Sequence, residues 1–353
     1  MTERRTLEEI LAHAVFAPSG DNSQPWKFSI LSGNTIRIWN IPGKDNPILN
    51  YQQTGSYVAH GALIQNIRII AASKALAISV NYFPEKNNCV AEIIFSETKE
   101  AVNTLYETIS KRGCNRKHYS KKPLSESDKK TLLLSTHSIS PSVSFVFSKD
   151  AVDKKEVGKA LATMEDIALQ VPELHHLFFK DILWDKKDNE SGIEGLYIKS
   201  LELPPPAQFA MRILKHWKVT DTLNRSIGLS KKIAAQMASV YRDSAIYGGI
   251  FINKRTPEAY VQVGELMQRV WLEATALGIA VQPVTGLMFL THRAEVNDLR
   301  PIPKNFEKQI LDSYQKVFNA FDAPRDSHLA FLMRFGHSKP ASARSRRLPP
   351  VIV

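Results

Sequence analysis

Between residues 5 and 16 apolar side chains recur at Leu7, Ile10, Leu11 and Val15, the spacing of one face of a helix. Thr6 followed three residues later by Glu9 fits a capping box at its start. The pattern stops at Ala17-Pro-Ser-Gly-Asp-Asn22, whose residue types predict a loop. Trp26–Leu31 and Asn34–Trp39 alternate apolar with polar positions and predict two strands joined by a Ser-Gly-Asn turn. From Val58 to Ala77 the spacing is helical again and apolar enough for a buried helix. Ala77–Tyr82 and Val90–Phe95 then read as paired strands.

The same order follows a second time. A helical pattern over 101–111 leads into Arg112-Gly-Cys-Asn-Arg116, and Leu124-Ser-Glu-Ser-Asp opens a helix through Leu134. Pro141–Phe147 reads as a loop and a strand, 155–243 as a long, proline-interrupted, mostly helical stretch, Gly248–Ile252 as a strand and Pro257–Leu277 as a long apolar helix. That last helix parallels the one at 61–75: each has a glycine (Gly61, Gly264), a glutamine four residues on (Gln65, Gln268) and an alanine-rich end. Two related α+β halves, 1–100 and 101–353, each with a mostly antiparallel sheet flanked by helices, account for this order.

Composition adds little until charge is considered. With 353 residues, 43% hydrophobic and 23% charged, the chain reads as globular. No apolar run reaches the ~18–20 residues of a membrane span, and the acidic N-terminus lacks a signal peptide's apolar stretch. Cys89 and Cys114 make no disulfide framework, so a cytoplasmic location is expected. The formal charge of +11 is partly concentrated in Arg212, Lys215, Lys218, Arg225, Lys231, Lys232 and Arg242, opposed only by Asp221, and in Lys339, Arg344, Arg346 and Arg347. Such clusters attract phosphate or form a solvated helix face. No nucleic-acid-binding signature accompanies them. A Rossmann glycine pattern, a P-loop, a Gly-x-Ser-x-Gly elbow and a His-Glu-x-x-His are all missing from the sequence. His175 and His176 are adjacent and so diverge on a helix, which argues against a shared metal.

Four segments carry candidate chemistry. Pro18-Ser19-Gly20-Asp21-Asn22-Ser-Gln24-Pro-Trp26 gathers backbone N–H, hydroxyl and amide groups suited to the polar edge of a planar heterocycle. It resembles the signature of the FMN-dependent nitroreductase family. Lys111-Arg112-Gly-Cys114-Asn-Arg116 resembles that family's arginine-rich segment at the flavin phosphate and pyrimidine. Four-residue spacing in a helical turn would put Arg112 and Arg116 on one face, with Cys114 where serine or threonine is usual. Gln282-Pro283-Val-Thr285-Gly286 resembles the turn that directs backbone N–H groups at flavin N5, and a glycine permits close approach. Arg334-Phe-Gly-His, followed by Arg344-Ser-Arg-Arg347, resembles the basic C-terminal segment, after which Pro350-Val-Ile-Val would add a strand to the other half.

The resemblance implies a nitroreductase-like fold whose flavin lies between two subunits. Here the first half offers the Pro18–Asn22 loop and the second offers Arg112, Arg116, Thr285, Gly286 and the C-terminal arginines. Ser135–Val143, the second half's counterpart of the loop, lacks its pattern. The halves thus complement each other as an intramolecular pseudo-dimer with one complete site, a monomer or a further homodimer. The implied site is Pro18, Ser19, Gly20, Asn22, Gln24, Arg112, Cys114, Arg116, Pro283, Thr285, Gly286, Arg344 and Arg347, with no metal and no side chain required as general acid or base. The implied activity is FMN-dependent NAD(P)H oxidation, hydride passing through flavin N5 to a nitroaromatic, quinone or similar small acceptor. A helical insert at about 165–243 reads as a lid or a surface embellishment. Were the lid permanently closed, the chain would instead sequester or sense FMN.

Overall fold

The computed structural model describes residues 3–31, 34–85, 87–99, 105–136 and 140–353. Part of the expected turn at 32–34, the start of the helix expected at 101–111 and the middle of the 135–143 loop lie outside the described residues. Helix α1 (Arg4–Ala14) buries Leu7, Ile10, Leu11 and Ala14. It begins two residues before Thr6, with Glu3 as N-cap and no side-chain cap. The capping box is therefore not formed: Thr6 already lies in the first turn, its N–H bonded to the Glu3 carbonyl at 2.9 Å. Strands β1 (Trp26–Ile30) and β2 (Thr35–Asn40), helix α2 (Thr54–Ser73) and strands β3 (Leu76–Tyr82) and β4 (Cys89–Glu97) complete the first unit. Its antiparallel sheet has the order β1-β2-β4-β3. Ile36 and Ile38 alternate inward on β2, while Ile94 on the opposite face is exposed, as in a sheet covered on one side.

The second unit begins with α3 (Tyr106–Lys111), α4 (Glu126–Leu134) and β5 (Val143–Phe147). A long excursion follows, comprising α5 (Lys154–Leu161), α6 (Thr163–Ala168), α7 (Pro172–Lys180), β6 (Ile182–Leu183), α8 (Lys186–Glu190), β7 (Leu196–Tyr197), α9 (Pro205–Leu214), α10 (Trp217–Ile227) and α11 (Leu229–Arg242). The chain then forms β8 (Ile246–Ile252), α12 (Pro257–Ala276), β9 (Ala280–Pro283), α13 (Gly286–Glu295), α14 (Glu307–Phe318) and β10 (His328–Gly336). Its sheet runs β5-β8-β10-β9, again antiparallel. Each unit thus orders its strands first, second, fourth, third, with one long helix between the second and third. The excursion stands where the first unit passes directly from β1 to β2.

That excursion explains why β8 is apolar throughout and does not alternate. Ile250 and Ile252 face the core around the long helices, whereas Tyr247 and Phe251 face a second core shared with α5, α13 and α14. A strand buried on both faces loses the period-2 signal. The two units meet through α2 and α12, and the contact is reciprocal. Gly61 lies against the Val261 carbonyl, three residues before Gly264, and Gly264 lies against the Val58 carbonyl, three residues before Gly61. At the chain's end, the Phe28 N–H donates to the Val351 carbonyl and the Val353 N–H to the Phe28 carbonyl, both at 2.8 Å. The C-terminal residues so pair with the edge of the first unit's sheet.

Candidate functional site

A cavity of about 860 Å³ opens between α2 and α12, floored by Val58, Ala59, Met267 and Trp271. Its volume lies within the ~300–1,000 Å³ usual for cofactor and ligand sites. Twelve expected residues line it: Pro18, Ser19, Gly20, Asn22, Arg112, Cys114, Arg116, Pro283, Thr285, Gly286, Arg344 and Arg347. Gln24 is not among them. Its side chain is buried behind the loop, where Oε1 accepts from the Leu348 N–H at 2.9 Å.

The loop leaving α1 is bent sharply, with Asp21, Asn22 and Gln24 all in the left-handed region. Such strain in non-glycine residues gathers at ligand sites. Side-chain bonds hold it: within the loop the Ser19 hydroxyl accepts from the Gln24 N–H at 3.0 Å, and from it Asn22 Nδ2 donates to the carbonyls of Gly195 and Arg346 at 3.1 and 2.9 Å. These polar side chains brace the loop against the excursion and the C-terminal segment, leaving its backbone and Asp21 toward the cavity.

Helix α3 ends at Lys111, and Arg112 is extended at φ −58° and ψ 134°. The helical turn expected to carry Arg112 and Arg116 is therefore absent; the chain must leave the helix to cross the cavity wall. Arg112 and Arg116 reach the cavity from an irregular segment. Arg112 donates from Nη2 to the Phe16 carbonyl at 2.8 Å and stacks 4.5 Å from the Trp271 ring centroid. Its buried Nε has no partner. Arg347 donates to the Ala17 carbonyl at 3.1 Å and to Asn22 Oδ1, and Arg344 to the carbonyls of Ser110 and Lys111. Among the described residues none of these three arginines pairs with a carboxylate. Burial and mutual repulsion push Arg112 well below the usual arginine range, and Arg347 down to about 10. A cluster of like charges beside a cavity, with Arg112 buried, Arg347 half-buried and Arg344 at the surface, is relieved by an anion.

Arg334, expected with the C-terminal basic residues, lies elsewhere. It is fully buried, 3.8 Å over the Tyr119 ring, bonding Gln282 Oε1 at 2.7 Å and the carbonyls of Val240 and Lys117. It clamps β9, α11 and the 115–119 segment together. Gly286 serves packing as well, because a Cβ there would fall 2.6 Å from Met164 Cγ on α6. Gly286 also opens α13, so the free N–H groups of a helix N-terminus lie at the cavity wall.

The other end of the cavity is acidic and was not evident from spacing. Asp45, seven percent exposed, lines the wall with Oδ1 accepting from the Asn46 N–H at 2.9 Å. Gly20 leaves room for it, since a Cβ there would lie 2.8 Å from Asp45 Oδ1. Burial, with Asp21 nearby, pushes Asp45 up to about 7. Asp21 is also raised, by desolvation and then by Asp181, with Arg116 opposing. Asn46 and Asn50 hold this loop by accepting from the N–H groups of Ile48 and Ser56. The only sequence signal was a density of Asp and Asn before α2.

A raised carboxyl has a definite linkage sign. Below its unfolded value near 3.8 Asp45 is protonated in both states; as pH rises toward 7 only the unfolded chain releases the proton, and stability falls. Asp45→Asn should therefore remove a decline of the order of a few kcal/mol between about pH 4 and 7. Urea unfolding of both proteins across that range gives the difference curve, which cancels the shared contributions of His60, which burial lowers to about 3, and Glu165, which burial pushes up to about 7. Parallel curves would show that Asp45 ionises freely.

No family profile matches the chain. It is 25% identical over 359 aligned positions to an uncharacterized protein of Mycobacterium tuberculosis, an alignment covering 98% of this chain and 48% of that protein. The chain thus spans about half the length of that relative. Among solved structures, a nitroreductase with bound FMN from Bacteroides fragilis aligns over 69% of this chain and 94% of its own, at 12% identity and a TM-score of 0.37. An FMN-dependent nitroreductase from Mycobacterium smegmatis in complex with NADPH aligns over 68% and 92%, at 16% and 0.35. The segments singled out in the sequence, the Pro18–Asn22 loop, Arg112 to Arg116, Thr285–Gly286 and Arg344 to Arg347, all contribute to the walls of this cavity.

Proposed function

We propose that the chain binds one FMN in this cavity and acts as an NAD(P)H oxidoreductase of nitroreductase type toward small acceptors. The observation that carries the reading is the cluster of Arg112, Arg344 and Arg347, which lacks an acidic partner among the described residues and keeps one buried guanidinium nitrogen unbonded. A phosphate dianion supplies the acceptors and the charge that this cluster lacks. Beside it, the backbone of Pro18–Gly20, Cys114, Arg116 and the N-terminus of α13 offer donors along a cavity floored by Trp271 and Met267, a fit for the ring. FMN, when bound, supplies two-electron transfer between the nicotinamide and the acceptor. The protein's own part is to fix the phosphate, present N–H groups to the ring and exclude water.

The two long helices, compared in register, support one site per chain. Seven residues after each glycine stand Arg68 and Trp271, and one residue after stand Ala62 and Glu265. Where Trp271 floors the cavity, its counterpart Arg68 pairs at 3.3 Å with Glu265, which also accepts from the Tyr82 hydroxyl. The second position is filled, as in a fused pseudo-dimer that kept one of two sites. Purified protein should therefore carry or take up one FMN per chain by absorbance against protein concentration. Two per chain removes the one-site reading; none, even with added FMN, removes the cofactor.

A second reading, sequestration, applies if the excursion stays bonded across the cavity's other walls. Arg346 N–H donates to Asn189 Oδ1 at 3.0 Å, Tyr197 N–H to the Ser345 hydroxyl at 2.9 Å and Arg116 to the Ser200 carbonyl at 2.9 Å, while Lys44 pairs with Glu194. Through Asn189, Glu190, Leu196 and Ser200 this strap supplies one wall of the cavity, where it would act as a lid. Anaerobic stopped-flow mixing with NADH and NADPH separates the readings. Bleaching of the bound flavin supports turnover, and flavin that stays oxidised supports sequestration.

A further inference from the structure

We infer that the α9–α10 face of the excursion docks on an anionic lipid surface. Helix α9, Pro205–Leu214, has no buried residue. Its inner side, Met211 and Leu214, packs on a small cluster with Phe179 and Ile182. Phe209 and Ile213, one turn apart, point outward at 67% and 46% exposure, with Pro206 and Ala210 exposed beside them. A soluble face seldom shows an aromatic and an aliphatic side chain together on one short helix.

The charges around this stripe select its partner. Arg212, Lys215 and Lys218 are exposed and, among the described residues, have no carboxylate partner. Asp221, the one acid between Arg212 and Arg242, is held by Arg225 at 2.8 Å, and Asp185, next to Trp184, caps α8 by accepting from the Asp188 N–H at 2.8 Å. The aromatic ring of Trp184 sets the direction of the first two, 5.3 Å from Arg212 Cζ and 5.7 Å from Lys215 Nζ, while Arg212 also donates to the Trp184 carbonyl at 2.6 Å. An apolar stripe rimmed by Lys and Arg matches a bilayer surface, where the apolar side chains enter the acyl boundary and the cations meet phosphate. A two-fold contact with a second copy would set this uncompensated positive charge against itself.

Co-sedimentation of the full chain with vesicles tests the inference, using phosphatidylcholine alone and phosphatidylcholine mixed with phosphatidylglycerol. Binding is expected to the mixed vesicles at low salt and to fall as salt is raised. Two double variants, Phe209→Ser with Ile213→Ser and Arg212→Glu with Lys215→Glu, should each weaken it about tenfold or more. Both leave the cavity untouched, so unchanged circular dichroism and FMN binding certify the fold. No sedimentation with mixed vesicles overturns the inference. So does binding that survives the serine variant, or a dimer in solution that the serine variant converts to monomer.

Discussion

Gly61→Ala and Gly264→Ala are each expected to destabilise the protein by about 3 kcal/mol or more, among the largest single-residue effects in this fold. An added Cβ at Gly61 would lie 1.8 Å from the Val261 carbonyl oxygen and 2.8 Å from the Glu265 nitrogen; at Gly264 it would lie 2.0 Å from the Val58 carbonyl oxygen. The obstructing atoms are backbone, so no side-chain rotation relieves the clash. The helices must move apart, and the tightly packed Leu63, Ile67, Leu266 and Val270 around them lose contact. Separation also widens the cavity floor, because Val58 and Ala59 lie on one helix and Met267 and Trp271 on the other. Both variants should then lose FMN binding with stability, although neither glycine lines the cavity. Urea midpoints read the first effect and flavin fluorescence the second. A midpoint equal to wild type for either variant would show that the helices do not meet at these glycines.

The two helices of this crossing, though not their contact, were legible in the sequence because they carry a pattern that burial imposes. Dense apolar runs with a glycine and a glutamine in matching positions marked α2 and α12, and their packing makes the glycines indispensable. The Gln268 side chain donates to Asn66 Oδ1 at 2.7 Å across the same contact. The first unit's strands were legible for the related reason that one face is buried. What periodicity could not report were elements whose residues answer to a cavity or to a neighbour. Strand β9 is four residues long and ends in Pro283. Arg112 looked helical from spacing to Arg116, yet wall geometry required an extended chain there. Asp45 and Asn50 stand in a loop without period, and only the tertiary approach of Gly20 and Gly55 shows their place. The loop resemblance pointed to a segment that lines the cavity, while the bonds of Asn22 and Gln24 depend on chain segments 173 to 324 residues away in sequence.

Arg112→Met is expected to weaken FMN binding about ten- to a hundredfold while leaving the ligand-free protein nearly as stable as before. A charge-assisted hydrogen bond to an anion contributes about 1.5–3 kcal/mol, which sets the lower and upper ends of that range. In the free protein Arg112 is costly. It is six percent exposed, faces no carboxylate among the described residues, is repelled by Arg347 and Arg344, and leaves Nε unbonded. Removing the charge relieves these terms and offsets the lost bond to the Phe16 carbonyl and the contact with Trp271, which methionine partly retains. Arg112→Lys keeps the charge and loses the planar fork, so it should recover little of the affinity. Titration by flavin fluorescence gives the affinity, and thermal unfolding with and without FMN separates it from stability. Wild-type protein should gain unfolding temperature with added FMN as linkage requires, and Arg112→Met should gain much less. Unchanged affinity together with a ligand-free protein that unfolds would assign Arg112 to packing alone and move the phosphate away from the arginine cluster.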